Sequence, residues 1–122
     1  MRVGACEGCK MTDYLEKHHI VFRKQNKVIE KWVVNQKDLC MECHRGNDGP
    51  HLNRITDLKY KRELQQIIET ELTSEYYREN ELMLTLGLTV VEVQKTVKTL
   101  SRSSWGYRRM DIVKELMGGK LY

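Results

Sequence analysis

Apolar positions are few and clustered in the first third of this chain and become periodic in the rest. Residues 19–22, His-Ile-Val-Phe, form a short β-prone run. Residues 27–34 form a second, with Val28, Ile29, Trp32, Val33 and Val34. Together they predict two strands joined through the polar, basic Arg23-Lys24-Gln25-Asn26. Ahead of them, residues 3–17 read as turn-rich, with Gly4 and Gly8 around a close cysteine pair. Residues 38–44 predict a short helix capped by Asp38 and ended by Gly46, and Gly46 to Pro50 reads as a loop. Thr56 can cap a helix from Asp57, on which Leu58, Leu64, Ile67, Ile68 and Leu72 approximate helical spacing. Beyond Thr73-Ser74, residues 75–86, 89–100 and 107–117 each read as helices, broken at Gly87 and over residues 101–106.

These elements add up to an α+β chain: a small metal-stapled module over residues 1–55, a packing helix over 56–74 and a helical region over 75–122. With 122 residues the chain is too short for a large multi-domain enzyme. Its 40% hydrophobic and 31% charged residues, with mean hydropathy −0.60, are those of a globular protein rather than a disordered one. No apolar run has the length of a signal peptide or a membrane span, so a cytosolic protein without membrane association is expected.

In a reducing compartment, four cysteines in two Cys-x-x-Cys pairs, Cys6/Cys9 and Cys40/Cys43, point to zinc rather than disulfides, a redox dithiol being the alternative. Two such turns can supply four thiolates at ~2.3 Å from a tetrahedral Zn²⁺. The thirty residues between the pairs would then be held as a closed loop, and metal binding free energy would become folding free energy. Between the pairs stand two adjacent histidines, His18 and His19, and His44 follows Cys43 directly. On a strand, neighbouring side chains point to opposite faces, so one histidine can serve a metal and the other a water or substrate.

The order His18-His19-Ile20, then Asn35, then Leu39-Cys40-x-x-Cys43-His44, preceded by Cys6 and Cys9, resembles the HNH endonucleases, the ββα-metal nucleases. The match covers roughly residues 3–50. The resemblance implies that His18 is a metal ligand and His19 the general base. It also implies that Asn35 fixes the loop orienting that base and that His44 is the helix-borne ligand. Many members carry a further ligand one turn later, here Asp48, but Gly46 and Gly49-Pro50 would end the helix first. His51, in a Cys-His-x-Gly…Gly-x-His-x-Asn run similar to phage-type members, is the favoured third ligand and Asp48 the alternative. The implied activity is hydrolysis of double-stranded DNA, by nicking or double-strand cleavage, with a structural Zn²⁺ and one catalytic divalent cation. A histidine-rich site admits Mg²⁺, Mn²⁺, Ni²⁺, Co²⁺ or Zn²⁺. Phage-type relatives suggest DNA packaging or homing as settings, in a host cell's cytoplasm, with packaging proteins or further copies of the chain as partners.

The net charge of +4 is modest, but between Val93 and Met110 lie Lys95, Lys98, Arg102, Arg108 and Arg109 with no acidic residue. This stretch is a candidate DNA contact or a solvated face, and Leu86-Gly87-Leu88-Thr89 resembles the turn of a helix-turn-helix. Trp105 and Tyr107 read either as nucleic-acid contacts or as core. Arg23, Lys24 and Arg45, near the histidines, are candidate phosphate contacts. A non-catalytic zinc module that binds DNA or serves an assembly is the rival reading; it would keep the cysteines but have no need of His19 or Asn35.

Overall fold

The structure, a computed structural model, describes residues 2–122, which form five α-helices and two small antiparallel sheets. The first sheet has the order β1 (Arg2–Ala5), β2 (Thr12–His19), β3 (Gln36–Cys40). Its register sets Leu15 opposite Cys40, His18 opposite Lys37 and His19 opposite Gln36. The five-residue α1 (Met41–Arg45) follows β3 at once and packs on both β2 and β3. The β1–β2 turn, with Cys6 and Cys9, thus lies close to the end of β3 and to α1, which carry Cys40 and Cys43.

Residues 3–17 are therefore not all turn: strands flank a tight turn at Glu7 to Cys9, and the expected strand at 19–22 stops at His19. The second expected strand, 27–34, is instead two 3-10 turns, Lys27–Ile29 and Val33–Asn35. Its buried residues explain why. Ile29 and Trp32 are buried while Val33 is exposed, a spacing of three that faces the helical half of the molecule rather than one side of a sheet. The third strand comes from Gln36-Lys37-Asp38, whose polar side chains carried no strand pattern. Asp38 lies within β3, and Cys40 is the residue that precedes α1; the helix does end at Gly46.

The second half opens with α2 (Arg54–Glu71), capped by the Asn53 side chain, which accepts from the N–H groups of Ile55 and Thr56. The helix starts two residues before the expected cap Thr56, whose hydroxyl donates instead to the Asp48 carbonyl at 2.7 Å. Then follow β4 (Tyr76–Tyr77), α3 (Glu79–Leu86), α4 (Val90–Val97), β5 (Arg102–Ser103), β6 (Gly106–Arg108) and α5 (Arg109–Leu116). The three short strands form a sheet of order β4-β6-β5. Helices expected from residues 75 and 107 thus begin later, because the tyrosines at 76, 77 and 107 pair across strands. Gly87, at φ 69°, ends α3 in the left-handed conformation that costs a glycine little, and Thr89 with Glu92 forms a capping box on α4.

Leu64 and Ile68 of α2 and Leu72 at its C-cap join Leu82, Val93, Ile112 and Leu116 in a core that also takes in Val21, Ile29 and Trp32. The halves are further tied by Trp32 Nε1 donating to the Leu86 carbonyl at 2.9 Å. Asn26 Nδ2 also donates to the Glu115 and Leu116 carbonyls at 3.3 and 3.2 Å. Residues 1–55, 56–74 and 75–122 therefore share packing across both of their boundaries. No helix among the described residues is long and apolar enough to cross a membrane.

Candidate metal centres and active site

Among the described residues, two groups of side chains could hold metal ions: Cys6, Cys9, Cys40 and Cys43, and separately His18, His44 and His51. In each group the ligand atoms lie within 4.8 Å of one another. In the cysteine group, Cys9 Sγ and Cys40 Sγ are 3.9 Å apart. Backbone N–H groups of Gly8, Cys9 and Cys40 point at Cys6 Sγ from 3.3, 3.5 and 3.3 Å. Burial opposes a charged sulfur there, yet the N–H groups of Cys40, Cys9 and Gly8 and the Cys43 thiol outweigh it and bring the Cys6 thiol down to about 6. Burial, with three neighbouring sulfurs, pushes the Cys43 thiol up. Burial thus opposes a free thiolate at Cys43, and a cation bound by the four sulfurs would offset that cost.

The histidine group is built by β2, α1 and the turn after it. Period-two alternation along β2 turns Glu16 and His18 to one face and Lys17 and His19 to the other. His18 is 1% exposed, and neither of its ring nitrogens has a hydrogen-bond partner. Its ring centroid lies 5.2 Å from that of His44 and 5.0 Å from that of His51. Burial first, then the positive forms of His44, His51 and His19 and the Lys61 ammonium, push His18 down to about 3. The ring stays neutral, the form that ligates a metal.

His44 Nδ1 lies 2.9 Å from Glu16 Oε1. That carboxylate, held well below its ordinary range by His44 and by Arg45 despite some desolvation, can only accept. Nδ1 must therefore carry the proton, leaving the His44 Nε2 lone pair facing the group. His51 Nε2 stands 3.0 Å from it. At that separation two lone pairs repel unless a proton or a cation lies between them. With an orphaned buried imidazole alongside, the residues present fit a bound cation. Asp48 stands outside this group, its carbonyl engaged by Thr56. Gly49 makes the return of His51 possible: a Cβ there would lie 2.7 Å from the carbonyl oxygens of both Cys43 and His44.

His19, half-buried, lines a cleft of about 470 Å³ with Lys17, His18, Phe22, Arg23, Lys24, His44 and His51. Just after it, fully buried Asn35 clamps the chain. Its Oδ1 accepts from Val21 N at 2.8 Å, its Nδ2 donates to the Val21 and Ile29 carbonyls at 3.2 and 3.4 Å, and its own carbonyl accepts from Ile20 N at 2.9 Å. The His19-Ile20-Val21 segment is thereby fixed against the start of β3.

The basic candidates divide. Arg23 and Lys24 are exposed at the cleft, whereas Arg45 is engaged by the Glu16 carboxylate through two nitrogens. Lys95, Lys98 and Arg108 are exposed, and Arg102 lies 3.8 Å from Glu79. Arg109 is not a free cation: its guanidinium donates to the Leu72 and Glu69 carbonyls, closing the C-terminal end of α2. Sequence reasoning passed over Glu16, although its place two residues before His18 on one strand puts it on the same face. It also passed over the buried ion pair Lys61–Asp57, 2.8 Å apart, with Lys61 Nζ 4.0 Å from the centroid of the Phe22 ring, which in turn stacks on His51. Nothing in the helical pattern of α2 marks a buried lysine.

Comparison of the chain with protein-family models, curated proteins and solved structures found no match.

Proposed function

We propose that this chain is a metal-dependent endonuclease of the HNH type that hydrolyses phosphodiester bonds of double-stranded DNA. The observation that carries the reading is His18, wholly buried with both ring nitrogens unpartnered, set against His44 and His51 beside the accessible His19. In this reading Cys6, Cys9, Cys40 and Cys43 hold a structural Zn²⁺ that fixes α1 on the strand pair.

His18, His44 and His51 hold one divalent cation, with Glu16 fixing the tautomer of His44. Bound there, a divalent cation supplies positive charge against the phosphate and the departing 3′ oxygen. His19, kept in place by the Asn35 clamp, accepts the proton of the attacking water as a neutral imidazole. Arg23 and Lys24, on the rim of the same cleft, hold the flanking phosphates. Attack on phosphorus with loss of the 3′ oxygen leaves 5′-phosphate and 3′-hydroxyl ends.

Plasmid cleavage with Mg²⁺, Mn²⁺, Ni²⁺, Co²⁺ or Zn²⁺ tests the proposal, comparing the native chain with His19→Ala. Loss of a general base lowers the rate about 10²–10⁴-fold, while zinc content and fold stay unchanged. Equal cutting by both proteins removes His19 from the role of base, and DNA binding without cutting under every metal favours a non-catalytic zinc module.

A further inference from the structure

The cleavage site uses little of the second half of the molecule, and that half has an order of its own. Helix α2, strand β4, helix α3, a three-residue turn, helix α4, strand β5 and strand β6 follow one another, and the strands assemble as β4-β6-β5. This is the chain order and the strand order of a winged helix–turn–helix. In the turn Gly87-Leu88-Thr89, Gly87 ends α3, buried Leu88 pins the corner and Thr89 caps α4.

Two surfaces of this half are exposed. On α4 and its C-cap, Val93, Thr96 and Val97 are buried, while Val90, Val91, Gln94, Lys95 and the capping Lys98 are exposed. At the tip of the β5–β6 hairpin, Trp105 is 69% exposed, with its ring edge-on to Tyr76, 5.7 Å between centroids. Arg102 and Arg108 flank it on the two strands. No acidic residue lies between Val93 and Met110. The nearest carboxylates on α3 and α4 are engaged: Glu92 by the N–H of Thr89, and Glu79 by Arg102. An aromatic ring left in water among cations, next to a helix whose outer face carries lysines and an amide, suits a polyanion with flat, apolar base and sugar surfaces.

We propose that this half is a winged helix–turn–helix that grips duplex DNA. Helix α4 enters the major groove with Gln94 towards base edges and Lys95 and Lys98 towards phosphates, and the hairpin sets Trp105 and Arg108 on the adjoining backbone and minor groove. This surface stands on its own geometry and would bind whether or not the histidine site cuts.

The test uses the full zinc-loaded chain carrying His19→Ala, with fluorescence anisotropy on labelled random-sequence duplex DNA, the matching single strand and duplex RNA over a range of salt. Duplex DNA is expected to bind best. Trp105→Ala is expected to weaken binding about tenfold, by loss of a contact to base or sugar. The double change Lys95→Ala and Lys98→Ala should lower the slope of log affinity on log salt by about two. Selection from a random duplex pool should enrich a common site that Gln94→Ala no longer enriches. Unchanged affinity and salt slope in these variants, with circular dichroism as in the parent, overturns the proposal, and so does preference for the single strand or for RNA. If binding behaves as expected while the native chain cuts nothing, this surface stands and the endonuclease reading falls.

Discussion

At the scale of single residues, the histidine group depends on a partner that is itself no ligand. Glu16 accepts a hydrogen bond from the Nδ1–H of His44 and so decides which nitrogen faces His18 and His51. Glu16→Ala frees the ring to change tautomer and rotate. Isothermal titration of Mn²⁺ into the zinc-loaded variant should show affinity lower by about 10–100-fold, the usual effect of losing such a partner, with the four-cysteine site unaffected. The ligand candidates themselves were legible, since cysteine and histidine spacing survives in the sequence whatever the fold does. Glu16 was legible in principle through strand alternation. Lys61 and Asp57 were not, because a lysine is ordinarily expected at the surface and its burial depends on Phe22 arriving from another segment.

At the scale of elements, signals confined to a few adjacent residues survived best. Gly46 ends α1, Gly87 ends α3, and Thr89 begins α4 because the hydroxyl and the Glu92 carboxylate act within one helical turn. Replacing Thr89 by Ala removes the bond from Glu92 N to Oγ1 at 3.2 Å and should cost about 1 kcal/mol, read as a lower midpoint in urea unfolding. Strands were read less well. The apolar run at 28–34 looked like a strand, yet its side chains are shared out at a spacing of three to a helical neighbour that local pattern cannot see. Strand β3 is polar for three of its five residues, and β4, β5 and β6 have two or three residues each, too few for any period to register.

Over the whole molecule, the histidine site and the helical half are coupled through the segment between β2 and β3. That segment leaves His19, is clamped by Asn35, and sends Trp32 into the helical core to donate to Leu86. Trp32→Phe keeps most of the apolar volume but leaves the Leu86 carbonyl without its partner, a loss of about 1–3 kcal/mol. Circular dichroism and amide hydrogen exchange in both halves should report one common unfolding transition at lower denaturant, rather than two separate ones. The same segment imposes an order in time. The cysteine pairs stand at the two ends of a thirty-residue excursion, so a cation held by Cys6 and Cys9 alone would have to wait for the remote pair to come within reach. Local helices can form without that encounter, whereas the pairing of β2 with β3 cannot. The three-histidine group, drawn from β2, α1 and the turn after it, therefore cannot assemble before this loop closes.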